Sequence, residues 1–113
     1  MAIKINKTGG SNRLIELAQL FKDLLKNSGI PVENLAIFGS VMKGTDKAES
    51  DLDMIVISKA FENKNIFQRA DMLYKPETEF MRIIKMPVDI ISYTRAEYLE
   101  SLESKRLESR ILI

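Results

Sequence analysis

The sequence predicts an α/β (α+β) fold in which a small mixed β-sheet is flanked by helices. Short apolar runs bounded by Gly, Pro or polar residues fall at 35–38, 50–58 and 87–92, each of strand length. Around them lie longer segments whose apolar residues step by three and four, the period of a helix. The two kinds of segment alternate along the chain, as in a layered α/β domain.

Taken in order, Lys7-Thr8-Gly9-Gly10-Ser11-Asn12 is small and polar, a loop or an arm. Leu14, Leu17, Ala18, Phe21, Leu24 and Leu25 then form one apolar stripe of a helix over 12–27. Gly29 and Pro31 close it, since glycine tolerates the left-handed turn and proline cannot continue a helix. Leu35-Ala36-Ile37-Phe38 is a buried strand that ends at Gly39. Ser40 to Lys43 opens a short helix, and Gly44-Thr45-Asp46-Lys47 is a loop. SDLDMIVIS, residues 50–58, is polar at its start and then β-branched, a second buried strand. Residues 61–64 connect it to a helix carrying Ile66, Phe67, Ala70, Met72, Leu73 and Tyr74, which Pro76 ends or bends. Phe80, Ile83 and Ile84 sit on a further short helical piece. The third strand is 87–92, with Pro87 at the first position, where a missing N–H is tolerated. Thr94 and Glu97 have capping-box spacing and start a helix through Tyr98, Leu99 and Leu102 toward the C-terminal end. The closing Ile111-Leu112-Ile113 is either docked on the domain's own core or kept for a partner or dimer surface.

Composition narrows the chemistry. At 113 residues and 45% hydrophobic content, residues 1–113 are expected to form a single domain with one core. Lys and Arg number 17 against 16 Asp and Glu, a balance that argues against a nucleic-acid partner. There are no cysteines and no histidines, which removes thiolate and imidazole metal sites and every Ser-His triad. A bound metal must therefore take oxygen ligands, which favours magnesium or manganese. The opening MAIKINKTGGSNR lacks the apolar run of a signal peptide, and no stretch approaches the ~20 apolar residues of a membrane span. The expected location is the cytoplasm, with no membrane partner.

The segment Asp51-Leu52-Asp53 carries the sharpest signal. Alternation along a strand turns both carboxylates to one face, where they repel each other unless one keeps its proton or a divalent cation binds both. Asp89 lies inside the apolar run Val88-Asp89-Ile90-Ile91, where an unpaired carboxylate is costly. It either joins the Asp51–Asp53 pair on a neighbouring strand or forms an ion pair with Lys85 or Arg82. Three grouped carboxylates can hold two metal ions, the arrangement used for in-line attack on phosphorus. Upstream, Gly39 ends a strand and Ser40 opens a helix, a junction whose free amides and hydroxyl suit phosphate oxygens.

Gly39-Ser40, a ten-residue gap, Asp51-Leu52-Asp53 and the later Asp89 together resemble the signature of the DNA polymerase β-like nucleotidyltransferases. The short chain is most similar to their minimal nucleotidyltransferase (MNT) family, over nearly its whole length. The resemblance implies that Asp51 and Asp53 bind two magnesium ions, with manganese as a substitute. It implies that Asp89 shares one ion and helps activate the attacking hydroxyl, while Gly39 and Ser40 hold the outer phosphates of a nucleoside triphosphate, ATP above all. Lys43 stands where many relatives carry arginine; it keeps the charge but loses the planar fork. The resemblance further implies a HEPN-domain partner, the MNT protein acting as antitoxin by transferring AMP to a tyrosine of that toxin. Little chain is left to build a deep acceptor pocket, which fits a macromolecular acceptor or a second subunit, of the same or another kind, that completes the site. Two other readings stand beside this one: an antitoxin that neutralises by binding alone, and transfer to a small molecule such as an aminoglycoside.

Overall fold

The computed structural model describes residues 10–38, 52–103 and 110–112. The described elements are α1 (Gly10–Asn27), β1 (Asn34–Phe38), β2 (Leu52–Ile57), a 3-10 turn (Lys59–Phe61), α2 (Ile66–Ile84), β3 (Val88–Tyr93), α3 (Arg95–Glu103) and β4 (Arg110–Leu112). The strands form one sheet in the order β3-β2-β1-β4. β1 runs antiparallel to β2 and β4, whereas β2 and β3 are parallel and joined through α2. The sheet is mixed, as predicted.

Strand alternation divides the core in two. Leu35, Ile37, Leu52, Met54 and Val56 turn to the side of α1 and α2, where Phe21, Leu25, Leu73 and Phe80 cover them. Ala36, Ile55 and Ile57 turn the other way and meet Tyr98 of α3. β2, with strands on both sides and helices on both faces, is therefore apolar from Met54 to Ile57. On the α1 side, the rings of Phe21 and Phe80 stack with centroids 4.7 Å apart.

The helix ends obey local chemistry. At the end of α1, the Gly29 amide donates to the Lys26 carbonyl (3.0 Å) and the Ile30 amide to the Leu25 carbonyl (3.0 Å). Gly29 takes φ +82°, the left-handed geometry that this motif requires. Thr94 and Glu97 form the predicted capping box: the Thr94 amide donates to Glu97 Oε1 (2.8 Å) and the Glu97 amide to Thr94 Oγ1 (3.3 Å).

Three expectations are corrected. Pro76 neither ends nor separates a helix: α2 is continuous from Ile66 to Ile84 with Pro76 inside it. Leu73, Pro76 and Phe80 are all buried at helical spacing, so packing on both sides of the proline outweighs its missing hydrogen bond. A second capping box, Asn65 with Gln68, fixes the start of α2, each side chain accepting from the other's amide at 2.8 Å. Second, the C-terminal segment is not helical throughout: α3 spans Arg95–Glu103 and β4 pairs with β1, so of the two fates open to the tail Ile111 and Leu112 take the one within the chain's own fold. Third, the burial implied by the apolar run around Asp89 is only partial, because β3 is an edge strand. The expected short helix at 40–43 and loop at 44–47 lie outside the described residues.

Candidate active site

The parallel pairing of β2 and β3 decides the geometry of the acidic residues. Its register sets Leu52 against Val88, Asp53 against Asp89 and Met54 against Ile90. Directly opposed residues of neighbouring strands share a face, with backbones about 5 Å apart. Asp53 and Asp89 are thus adjacent on the α3 side of the sheet, both second in their strands, at the end where the parallel pair begins. Asp53 is half-buried and Asp89 exposed. The sequence could offer the two aspartates as neighbours only conditionally; the register makes them so.

Two parts of the sequence reading change here. The burial cost assigned to Asp89 does not apply, because edge strand β3 leaves it in solvent. Nor does Arg82 pair with it, for Arg82 binds Glu79 one turn away. Of the other residues singled out, Gly39, Ser40, Lys43 and Asp51 lie outside the described residues. Among the described residues no group of three or more His, Cys, Asp or Glu side chains forms a metal site; Asp53 and Asp89 are a pair.

The structure adds one acid that the motif does not contain. Glu77, half-buried on α2, has its carboxyl pushed above the ordinary range, first by burial and then by the negative charge of Asp89. No sequence signal could have found it, because the approach of α2 to β3 is a tertiary event. The aspartate end of the sheet is therefore a region of concentrated negative charge, and hard oxygen donors so arranged suit a divalent cation. A cavity of about 210 Å³ opens elsewhere, at the opposite end of β2, lined by Asn34, Ile57, Arg95, Tyr98, Leu99 and Leu102. It contains none of the predicted site residues.

With this geometry in place, the comparisons with known proteins become decisive. Residues 19–113 match the family model described as polymerase beta, nucleotidyltransferase. The chain belongs to the polymerase β nucleotidyltransferase family. Within this family, the Asp53–Asp89 pairing lies inside the matched span, and the resemblance to minimal nucleotidyltransferases agrees with it. Among solved structures, the chain is similar to a candidate nucleotidyltransferase from Sulfolobus solfataricus, with TM-score 0.55 and 23% identity over 98% of this chain and 90% of that one. It is also similar to a chain of a toxin–antitoxin crystallised with AMP-PNP, with TM-score 0.51 and 21% identity over 66% of this chain and 56% of that one. The BolA domain of SufE1 from Arabidopsis thaliana shares the architecture at TM-score 0.50 and 14% identity, over 83% of this chain and 99% of that one. At such identities the likenesses establish the fold alone. No curated protein sequence matches the chain significantly.

Proposed function

We propose that this nucleotidyltransferase-family chain is a magnesium-dependent enzyme that transfers AMP from ATP to a protein hydroxyl, releasing pyrophosphate, and that the acceptor is a tyrosine of a HEPN-domain toxin. The observation that carries the proposal is the pairing of Asp53 with Asp89 across parallel strands. Two carboxylates set side by side repel, and a divalent cation turns that repulsion into binding. Asp53 and Asp89, joined by Asp51 from the same D-x-D spacing, would hold magnesium, with manganese as a substitute. When bound, the metal offsets charge on the transferring phosphoryl group and lowers the pKa of a nearby hydroxyl. Asp89, exposed at the sheet edge, is accessible to a large acceptor and would take the proton of its hydroxyl. Gly39 and Ser40 would hold the outer phosphates, with Lys43 as a counter-charge. Attack of the acceptor oxygen on the α-phosphorus forms the new P–O bond and breaks the bond to the β-phosphate oxygen. The toxin–antitoxin crystallised with AMP-PNP, an ATP analogue, supports both the nucleotide and the class of partner. The reading takes residues 1–113 as one domain acting in the cytoplasm.

The exposure of Asp89 also favours a second reading, an antitoxin that neutralises by binding alone, since an exposed carboxylate needs no catalytic reason. One experiment separates the two. The protein is incubated with α-phosphate-labelled ATP, magnesium and the protein encoded beside it, in parallel with Asp53→Asn/Asp89→Asn. Label on the neighbouring protein with wild type only, at least a hundredfold above the variant, establishes transfer. Neutralisation of the neighbour by both proteins without label leaves a binding antitoxin.

A further inference from the structure

The register of the whole sheet carries the aspartate pair further. β1 sets Phe38 against Asp53, and β4 sets Arg110 against Phe38. With Asp53 opposite Asp89, one cross-strand row reads Asp89, Asp53, Phe38, Arg110, and opposed residues share a face. The next row on that face is apolar: Ile91, Ile55, Ala36 and Leu112. Beyond it, Tyr93, Ile57 and Asn34 carry no charge. Among the described residues, the charged strand residues of this face therefore all fall in the first row. Tyr98 of α3 packs on the rows behind, against Ala36, Ile55 and Ile57.

We infer that the tail strand β4 completes the candidate active site, setting Arg110 in one row with Asp53 and Asp89 to bind the triphosphate of the nucleotide. The inference deepens the nucleotidyl-transfer reading and rests on it. The row has acids at one end and a cation at the other. Neighbouring strands lie about 4.8 Å apart, so β4 stands about 10 Å from β2. A metal-bearing anion suits both ends of such a row, the acids acting through the metal and the arginine through its own charge. A planar guanidinium binds phosphate oxygens in pairs, which fits a triphosphate better than a nucleobase or an uncharged hydroxyl.

The position orders the ligand. Gly39 and Ser40, proposed to hold the outer phosphates, directly follow Phe38, which stands between Asp53 and Arg110. The β- and γ-phosphates would thus lie on the β4 side of Asp53 and the acceptor on the β3 side, beside exposed Asp89. Entering and leaving oxygens then stand on opposite sides of the α-phosphorus, as in-line displacement requires. The other described arginines are placed elsewhere. Arg69, Arg82 and Arg95 are engaged by Glu97, Glu79 and Glu33, and Arg13 belongs to α1, which packs on the opposite face. β4 also lies inside the span that matches the family model.

Calorimetry on the full chain tests this with three probes: magnesium alone, magnesium–ATP and magnesium–tripolyphosphate. Arg110→Gln is expected to weaken ATP and tripolyphosphate alike, by about tenfold or more, while affinity for magnesium alone stays equal or tightens. Arg110→Lys keeps the charge without the fork and is expected to weaken both by about threefold. Circular dichroism accompanies each variant. Should the glutamine variant not fold, the lysine variant decides, and affinity equal to wild type there overturns the inference. Unchanged ATP affinity in Arg110→Gln, with tighter magnesium binding, makes Arg110 a counter-charge to the aspartates and overturns it. Weaker ATP binding with tripolyphosphate unaffected assigns the arginine to the nucleoside and overturns it too. A wild type that binds neither phosphate ligand sinks the nucleotidyl-transfer reading together with the inference. Binding that Asp53→Asn/Asp89→Asn abolishes and Arg110→Gln leaves untouched sinks the inference alone.

Discussion

Arg69 ties four parts of the chain together with one guanidinium. Its Nη1 donates to the Ser92 carbonyl (3.1 Å) and to Glu97 Oε1 (2.8 Å), its Nε donates to the Lys64 carbonyl (3.0 Å), and its Cζ lies 5.7 Å from the centre of the Phe61 ring. Since the Tyr93 carbonyl bonds inward to the Ser58 amide (3.0 Å), the neighbouring Ser92 carbonyl points off the sheet edge, and Arg69 covers it. Replacement by methionine keeps the packing but orphans these acceptors, so Arg69→Met is expected to lower unfolding free energy by about 2–3 kcal/mol in urea melts. Glu97 is the partner whose charge responds to pH. The hydrogen bond from Arg69, ahead of the Thr94 contacts, holds its carboxyl below the ordinary range. A folded-state pKa below the unfolded one gives stability that is complete above the unfolded value, about 4.3, and is lost as pH falls through the folded value. Glu97→Gln should therefore cost about 1 kcal/mol at pH 7 after solvent screening, and the gap to wild type should close in acid. Melts at pH 7 and at successively lower pH check both the size and the sign. Neither role is visible in the sequence, because Arg69 stands 28 residues from Glu97 and no local pattern joins them.

At the level of elements, local rules succeeded where an element's fate is decided locally. Gly29 illustrates this: an added Cβ would meet nothing within 4 Å, so the need for glycine lies in its φ of +82° alone. Gly29→Ala is expected to cost about 1 kcal/mol through backbone strain without disturbing the core, measurable as a lower melting temperature with an unchanged spectrum. Helix α2 shows the converse. Proline's local effect pointed to a break, yet the faces before and after Pro76 both lie on α1, and neither can leave without exposing Leu73 or Phe80. That packing is strong enough to test directly. Phe80→Ala should cost about 3–5 kcal/mol. A double-mutant cycle of Phe21→Leu with Phe80→Leu should give a coupling of about 1 kcal/mol for the stacked pair, and additive losses would show that the contact is only area burial. β4 escaped the sequence reading because a short apolar tail carries no period, and its strand character comes only from pairing with β1.

For the whole molecule, the paired aspartates predict a coupling between stability and ligand. With magnesium and ATP at about a hundred times their dissociation constant, the wild type should gain about 2.7 kcal/mol, several degrees in melting temperature. The Asp53→Asn/Asp89→Asn variant should gain none. A thermal scan reads both arms without any turnover, and equal shifts in the two proteins would remove Asp53 and Asp89 from the binding site.

The sequence by itself determined the helix and strand periods, the capping box at Thr94 and the stop at Gly29. It also determined the oxygen-only chemistry of a chain without histidine or cysteine, and the spaced motif that carries the family resemblance. All of these are set by neighbours within a few residues or by residue type alone. Tertiary structure decided which strands adjoin, that α2 runs through Pro76, that the tail joins the sheet, and that Glu77 approaches Asp89. Above all it set Asp53 opposite Asp89, which are 36 positions apart in the numbering but adjacent in the register. Local propensity acts over one turn of helix or one pleat of strand, whereas register and packing are chosen by burying two faces of one sheet at once. A site assembled across strands is fixed only at that second level.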